Sequence, residues 1–501
     1  MIAEVSSERS RLGILGREPE ILLWLFLAFQ LVVWTLLPWA LATSLPLDVV
    51  SDGLAWGHEW QLGYYKHPPL PSWMVEAFFD VLGDLGPFLL SQIAVTATCA
   101  LVYLLGRSMM AARWAAVGTV MLAGVYYFSI PTPEFNHNVA QMPFWAAASL
   151  AYFRALQSGR LRWWLALGAV AGLGLLCKYS TALLLVAIVL HAAASHKGRK
   201  ALLTWKPYAA IALCLVVLSP HLAWLDRHDF PTLHYAVGRA GHADTIGGRI
   251  VAPFKFLLAQ LIDVAPALIV GAIIGLRPRR PDDSSSAENT NFLLWLVLGP
   301  PLLSCLLALA TGLGLRDMWG APMWNLTGLL LVESARPGWQ KDGLKRLPVC
   351  VAVLFVIGLA SYVVFKEIGP DLENRPPRTQ WPDRAMAAQF ADAFEQTTHR
   401  PLRIVAADGW IGGLVAMRLE PRASVWIDAS GAKAPWVTPD AVRRDGVLVL
   451  WRAGADDAPP PTLSGLPGLK TMGTKTFSWP KTPGAAPLRI GYGIVPPGDA
   501  P

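Results

Sequence analysis

The sequence has few charged residues and few cysteines. Asp, Glu, Lys and Arg make up 15% of its 501 residues, whereas 54% are hydrophobic and the mean hydropathy is +0.41. Soluble domains carry about 25% charged residues, so this composition excludes an ordinary soluble protein and indicates a polytopic membrane protein. The five cysteines all lie in or at the end of apolar runs, where small residues pack, and we expect no disulfide.

The charge balance also excludes some classes. The net charge of +7 does not indicate nucleic-acid binding, because most basic residues fall in short loops, where they report membrane orientation. The first apolar run, at 21–43, is too long for a cleavable signal peptide, and no small-residue cleavage site follows it. The 22 tryptophans fit a membrane protein, since indole favours the headgroup level.

Eleven apolar runs approach the roughly 20 residues that a membrane span needs. They are 21–43, 86–106, 114–130, 138–156, 163–177, 180–195, 207–225, 250–276, 291–311, 319–335 and 347–367. The stretch 163–195 reads either as one long helix or as a hairpin of two short helices. Only the hairpin places all six basic clusters on one side, as the positive-inside rule requires. We therefore predict a cytoplasmic N-terminus and a C-terminal segment on the outer side.

The composition changes after the last apolar run. Residues 369–501 are rich in proline and charge and contain no span. Proline and glycine separate four strand-like runs and one helical pattern, at 402–407, 423–428, 446–452, 488–495 and 382–396. The sequence thus predicts a membrane domain over 1–368 and a small soluble α/β domain over 369–501.

Two carboxylates, Asp48 and Asp52, follow the first span directly. A carboxylate at this position could act as a general base that takes a proton from an acceptor hydroxyl. The alternative is a helix cap, with an Asp at the start of a short helix. Polar residues concentrated at one membrane face are costly and usually mark a functional site, which favours the catalytic interpretation.

A second group follows in Tyr65, Lys66, His67 and the two prolines after them. The prolines stiffen the chain at the membrane surface. A lysine and a histidine beside that bend could hold a phosphate. Snorkelling of Lys66 to lipid headgroups is the alternative, although it does not explain the whole string.

Two further loops carry candidates. The loop 131–138 offers Glu134, Asn136 and His137, which could bind a sugar or assist the base, or could simply form a proline-rich turn. Lys178 and Tyr179 lie at the tip of the predicted hairpin, where a lysine needs a partner such as a lipid phosphate or a loop carboxylate.

The loop 219–249 contributes Arg239 as a second candidate phosphate ligand. It also holds four histidines, but their spacings of 7, 6 and 8 residues match no zinc pattern. We therefore expect no metal cofactor. The string RDMWGAPMW at 316–324 either closes over the same cavity or packs a helix end.

These strings together resemble the bacterial GT-C glycosyltransferases of the family 39 and family 83 type, which include protein O-mannosyltransferase-like and aminoarabinose transferase-like enzymes. The matching strings are LDVVSDGLAWGHEW, GYYKHPPLPSW, TPEFNHNVAQMPFW, GLGLLCKYSTALLL, SPHLAWLDRHDFPTLHY and RDMWGAPMW, spread over residues 20 to 330. The first two also look like alphaproteobacterial members that decorate lipopolysaccharide or other envelope lipids, some with galacturonic acid. Many relatives carry adjacent Asp-Glu in the first loop, whereas this chain has Asp48 and Asp52. The choice of base stays open, with Asp52 favoured because it lies closer to Trp56.

The resemblance implies an inverting transfer from a polyprenyl-phosphate-sugar donor, with no nucleotide. The expected fold is an α-helical polytopic membrane protein of GT-C type with a small C-terminal α/β periplasmic domain. The expected acceptor is lipid A, lipopolysaccharide core, another lipid or a protein at the periplasmic face of the bacterial inner membrane. Two alternatives are a polyprenyl-lipid flippase, which would predict inverted repeats and helices broken at mid-membrane, and a non-catalytic lipid-binding protein.

Overall fold

The computed structural model describes residues 18–240, 245–277, 284–335, 341–454 and 457–498. Within these ranges, six helices are long and apolar enough to cross a membrane: Pro19–Leu41, Leu85–Met109, Lys206–Arg227, Gly247–Ile273, Ser284–Thr311 and Leu347–Ile368. They pack with further helices at Ala112–Val120, His137–Ser158, Leu161–Cys177, Thr181–Ala194, His196–Leu202, Pro231–Ala240 and Thr327–Ala335. All five cysteines are free.

The break that the charge distribution predicted is present. One helix ends at Cys177 and the next begins at Thr181, so Lys178 and Tyr179 lie at the tip between them. Both arms are short, and the first packs along the helix Lys206–Arg227, where Gly168 and Gly172 allow close approach.

Two predicted spans are wrong as continuous helices. The stretch predicted at 114–130 is helical only to Val120 and continues as short 3-10 turns at Met121–Gly124 and Tyr126–Phe128. The stretch predicted at 319–335 is helical only from Thr327. The two short helices cross where Gly118 faces Gly328, so small residues let their backbones approach.

The outer loop predicted at 44–85 is a folded layer. It begins with a wide π-helical turn at Val49–Leu54, continues through Ala55–Gly57, and ends in the helix Leu70–Leu82. Pro71 lies in the first turn of that helix, where its missing amide hydrogen costs nothing. A side-chain carbon on Gly57 would lie 2.8 Å from Cβ of Glu76, so glycine is needed for the two segments to pack.

The C-terminal segment forms a five-stranded sheet with the order β2-β1-β3-β5-β4. The strands are β1 (Ile404–Ala407), β2 (Ser424–Ile427), β3 (Val447–Arg452), β4 (Lys470–Phe477) and β5 (Leu488–Val495). Strand β1 pairs in parallel with β2 and β3, whereas β5 pairs antiparallel with β3 and β4. The predicted helix is present at Asp383–Thr398. The edge strand β4 escaped prediction because its residues are mostly exposed and polar.

The C-terminal domain packs directly on the outer loop. The short helix Gly409–Ala416 lies against the π-helical turn, and a side-chain carbon on Gly413 would lie 2.8 Å from Cγ1 of Val50. Arg422 pairs with the buried Glu76 carboxylate and donates to the Leu54 carbonyl at 3.2 Å. Arg418 bridges Asp84 at 2.6 Å and Asp383 at 2.8 Å. These contacts hold the C-terminal domain against the loop 44–85.

Candidate active site

The two predicted carboxylates lie on the π-helical turn but have different partners. Asp48 occupies the position before the turn and makes no side-chain capping bond, so the helix-cap interpretation does not describe its carboxylate. Its backbone amide donates to Glu134 Oε1 at 2.9 Å. Asp52 accepts from Lys66 Nζ at 2.9 Å and from the Ser51 hydroxyl at 3.3 Å. Asp48 thus keeps an uncommitted carboxylate, while Asp52 is part of an ion pair.

The surroundings of Asp48 favour its protonated form. Burial is the largest cause, followed by repulsion from Glu134 and Asp52, and together they raise the pKa of Asp48 to about 7. Lys66 and Lys178 act in the opposite direction. A carboxyl group with this pKa can exchange a proton near neutral pH, as a general base must.

Lys66 lies between aromatic rings beside Asp52. Its ammonium nitrogen is 5.5 Å from the centre of the Trp56 ring and 5.4 Å from that of Tyr65. Burial lowers the pKa of Lys66, but the Asp52 carboxylate outweighs it and raises the pKa above the ordinary value. Lys66 is therefore a permanent cation. One of its three N–H donors is used by Asp52, so two remain for a ligand.

Lys178 approaches the same space from the hairpin tip. Its ammonium donates to the Asn138 side-chain oxygen rather than to a carboxylate. Burial lowers the pKa of Lys178 to about 8, with Asp48 acting in the opposite direction. The neighbouring Tyr179 hydroxyl lies 2.6 Å from His221 Nε2, while His221 Nδ1 lies 2.8 Å from the Leu62 carbonyl oxygen. A hydrogen on Nδ1 lets Nε2 accept from Tyr179, so this chain fixes the hairpin tip against the outer loop.

The rings of His67 and His137 lie close together, with centres 4.0 Å apart and planes inclined by 34°. Their nitrogens and an Asp52 oxygen all lie within 4.8 Å of one another, close enough to hold a metal ion together. Burial, then the charge of His137 and the two lysines, lower the pKa of His67 well below its ordinary value, so the ring is neutral. His137 Nε2 is buried without a hydrogen-bond partner among the described residues. Lys66 contacts Oδ1 of Asp52, so a cation bound to this carboxylate would share it with Lys66.

Two cavities meet at Asp48. The first, of about 880 Å³, is lined by Asp52, Lys66 and Lys178. The second, of about 1260 Å³, is lined by Glu134, Tyr126, Asp263 and Lys366. Both cavities share Asp48, Asn136, Asn138, Arg316 and Arg378. A group that reacts at Asp48 can therefore be reached from either cavity.

The structure brings most of the predicted residues to these cavities. Asp48, Asp52, Tyr65, Lys66, His67, Asn136, His137, Lys178 and Tyr179 line the first cavity, and Glu134 lines the second. The Asn136 side chain also caps the helix His137–Ser158 by accepting from the Asn138 and Val139 amides. Arg316 and Trp319, from the string at 316–324, line the first cavity as well. The Arg239 side chain lies outside the described part of the chain.

Several lining residues escaped the sequence analysis because they come from the C-terminal domain. They are Arg378, Trp381, Asp408, Trp410, Asp428 and Arg452. The predicted division into a membrane domain at 1–368 and a soluble domain at 369–501 does not indicate which face of the C-terminal domain packs against the membrane domain. The one available signal is a concentration of tryptophan in a domain that has no membrane span to anchor.

Comparisons with known proteins relate the chain to glycosyltransferases. Residues 66–224 match the family of dolichyl-phosphate-mannose-protein mannosyltransferases. Lipopolysaccharide core galacturonosyltransferase RgtA of Rhizobium johnstonii is 28% identical over 446 residues, which cover 85% of this chain and 86% of the relative. RgtB of the same organism is 25% identical over 441 residues, with 84% and 86% covered.

The fold also matches a solved structure. ArnT from Cupriavidus metallidurans bound to undecaprenyl phosphate superposes with a TM-score of 0.60 at 13% identity, covering 94% of this chain and 97% of ArnT. The apo form gives a TM-score of 0.59 with the same coverage. The shared fold is of the GT-C type, and the match over residues 66–224 together with the galacturonosyltransferase relatives shows a glycosyltransferase.

Proposed function

We propose that this protein transfers galacturonic acid from a polyprenyl-phosphate donor to the lipopolysaccharide core or a related envelope lipid, with inversion at the anomeric carbon. The observation that carries the proposal is the junction of two cavities at Asp48, with two lysines in one of them. The relatives named as galacturonosyltransferases support the choice of sugar and acceptor.

We assign the base to Asp48, although the sequence favoured Asp52. Asp48 has no side-chain capping bond, lines both cavities and has a pKa raised to about 7 by burial and by neighbouring carboxylates. Asp52 is bound to Lys66 at 2.9 Å, so taking up a proton there would break an ion pair. Glu134 positions the segment by accepting from the Asp48 amide.

The donor phosphate binds between Lys66 and Lys178 in the smaller cavity. Both ammonium groups line this cavity, come from different elements and keep N–H donors beyond those already used. Charge-assisted hydrogen bonds to phosphate are strong, and they strengthen as the leaving phosphate gains charge. His67, Tyr65 and the hairpin tip shape the surrounding wall.

The reaction then follows from the geometry. An acceptor hydroxyl enters from the larger cavity and attacks the anomeric carbon, while Asp48 takes its proton. The bond between that carbon and the phosphate oxygen breaks, and the electron pair leaves with the polyprenyl phosphate. Attack from the side opposite the leaving group inverts the configuration. No nucleotide or metal takes part in these steps.

The membrane arrangement supports a periplasmic active site. The basic clusters predict a cytoplasmic N-terminus, and the first outer loop and the C-terminal domain then lie together on the other side. We propose the inner membrane of a bacterial envelope as the location. Reporter fusions after residue 370 test this, since an export-dependent reporter should be active there and a cytoplasmic one inactive.

A transfer assay tests the function. Purified protein in detergent receives polyprenyl-phosphate-galacturonic acid and lipopolysaccharide core lacking that sugar, and mass spectrometry follows the acceptor. We expect a mass increase of one uronic acid residue and release of polyprenyl phosphate. Envelope lipids from a deletion strain should lack the same modification. Unchanged lipids in that strain, together with no transfer in detergent, would reject the proposal.

A further inference from the structure

Four side chains from the C-terminal domain line the smaller cavity, which the two lysines also line. They follow one another in the order Arg378, Trp410, Trp381 and Arg452, with two indoles between two guanidinium groups, and we call them the Arg–Trp wall. The guanidinium carbon of Arg378 lies 6.0 Å from the Trp410 ring centre. Trp410 and Trp381 meet edge to face at 5.6 Å, and the Arg452 carbon lies 6.0 Å from the Trp381 ring centre.

The two guanidinium groups of the wall are free of carboxylate partners. Among the described residues, neither Arg378 nor Arg452 forms an ion pair. The nearby acids are engaged elsewhere. Asp408 caps its helix by accepting from the Trp410 and Ile411 amides, and Asp428 pairs with Lys433 at 2.6 Å. Neither guanidinium group is therefore bound directly to a carboxylate of the described residues, although Asp408 lies close enough to Arg378 to interact with it electrostatically.

The tryptophans add a second, independent feature. Trp410 and Trp381 are 8% and 6% exposed, so their rings are nearly buried, and the Trp410 Nε1–H has no hydrogen-bond partner in the described structure. Buried indole N–H groups normally find a partner. A ligand oxygen beside the ring would supply one. The flat rings also offer the packing surface that the C–H face of a sugar needs.

We propose that the Arg–Trp wall binds the carboxylate of a uronic acid residue and selects that sugar over the neutral hexose of the same configuration. This rests on the proposed function, which supplies a uronic acid as substrate. The planar guanidinium matches a carboxylate through two parallel hydrogen bonds, whereas the CH₂OH group of a hexose offers no charge. The sugar ring packs on Trp381 and Trp410, and its phosphate points toward Lys66 and Lys178.

The carboxylate has two sources, the sugar of the donor and an acidic sugar already on the acceptor. Both present the same chemistry to the wall. The experiment therefore uses two arms, one with donor lipids and one with lipid-free core oligosaccharides.

Binding is measured on the full chain in detergent by titration with three short-chain lipids: polyprenyl phosphate, polyprenyl-phosphate-galactose and polyprenyl-phosphate-galacturonic acid. The variants are Arg378→Gln, Arg452→Gln and the double change. Arg375→Gln is the matched control, because Arg375 is 82% exposed and pairs with Glu373 away from the cavity. Arg378→Lys and Arg452→Lys keep the charge and lose the planar fork, so they test the same site if a glutamine variant folds poorly.

We expect the wild-type protein to bind the galacturonic acid lipid about 10-fold or more tightly than the galactose lipid. Each glutamine variant should reduce that preference, the double variant should abolish it, and the control should keep it. Binding of bare polyprenyl phosphate should not change. A preference seen only with oligosaccharides that carry a uronic acid would place the carboxylate on the acceptor.

Two results would overturn the inference: no discrimination by the wild-type protein in either arm, or discrimination that survives in the double variant. Failure of every protein to bind bare polyprenyl phosphate would instead count against the proposed donor. A loss of binding for all three lipids in one variant alone would show a folding defect, and the lysine variant at that position then decides.

Discussion

Replacing Asp48 with asparagine removes the proposed proton acceptor while keeping the size of the side chain. General-base catalysis contributes about 10²–10⁴ in rate, which corresponds to about 3–5 kcal/mol of transition-state stabilisation. We expect Asp48→Asn to lose a factor in that range from kcat, with donor binding largely kept. Asp52→Asn should mainly weaken donor binding, because the ammonium of Lys66 loses the 2.9 Å ion pair that holds it in position for the phosphate.

The pH dependence of kcat/KM supplies a second measurement of the same assignment, because it reports the groups of the free enzyme. The Asp48 carboxyl is active when deprotonated and has a pKa of about 7, so activity rises with pH until it passes this value. Lys178 is useful as a cation and has a pKa of about 8, so activity falls as pH rises above it. One pH unit below the first value, about one tenth of the base is available.

The assay is transfer of galacturonic acid to core lipopolysaccharide, followed by mass spectrometry over a range of pH in buffers of constant ionic strength. We expect a narrow bell with its maximum between the two pKa values. In Asp48→Asn the acid limb should disappear along with most of the rate. A variant that keeps near-normal turnover and the same acid limb would show that Asp48 is not the base. Loss of turnover in Asp52→Asn alone would return the role to Asp52.

Four further predictions follow from the same contacts. Lys178→Arg should remove the alkaline limb of the profile, because a guanidinium stays charged throughout the range; an unchanged limb would assign it to another group. Lys66→Ala and Lys178→Ala should each weaken binding of polyprenyl phosphate, with a combined effect smaller than the sum because both contact one ligand; strict additivity in a double-mutant cycle would contradict this. Chelation by EDTA should leave the transfer rate unchanged, since Lys66 already occupies Asp52; a loss restored by zinc or manganese would instead make the cluster of Asp52 and the two histidines a metal site. Arg422→Ala should destabilise the protein by about 3–5 kcal/mol, seen as a lower thermal midpoint, because the buried Glu76 loses its guanidinium partner and keeps only the His58 ring at 3.3 Å; an unchanged midpoint would show that the domain contact is weak.

The parts of the fold that the sequence predicted well are those where one strong physical rule decides. Placing all basic clusters on one side of the membrane required a break in the helical stretch 163–195 near Cys177, and the structure has a helix end at Cys177. Burial patterns predicted four of the five strands, because their side chains face a core. The residues of strand β4 are mostly exposed, and two of them pair with glycines of β5. The sequence of β4 therefore has no alternation of buried and exposed residues that would predict a strand.

The parts that escaped prediction depend on contacts between distant segments. Hydropathy predicts a continuous span at 114–130. It carries no information about the contact of Gly118 with Gly328 or the close approach of Gly124 to the helix Gly247–Ile273. Likewise, Arg378 and Arg452 read as ordinary surface residues of a soluble domain. Their position at the cavity follows from how that domain docks on the outer loop.

The assignment of the two carboxylates turns on the geometry of one turn. In a regular α-helix, residues four apart share a face, so the spacing of Asp48 and Asp52 predicts two carboxylates side by side. The observed turn is wider, with the Ala55 amide donating to the Val50 carbonyl five residues earlier, and the two carboxylates have different surroundings: Asp52 binds Lys66, whereas the Asp48 carboxylate lines both cavities. The turn is held in this form from both sides, since side-chain carbons on Gly53 and on Gly413 would each lie 2.8 Å from a valine methyl group. One carboxylate is thereby directed to Lys66 and the other remains available at the junction of the cavities. The spacing suggests that Asp48 and Asp52 act together. In our assignment they have separate roles: Asp52 holds the phosphate-binding Lys66, and Asp48 is the base.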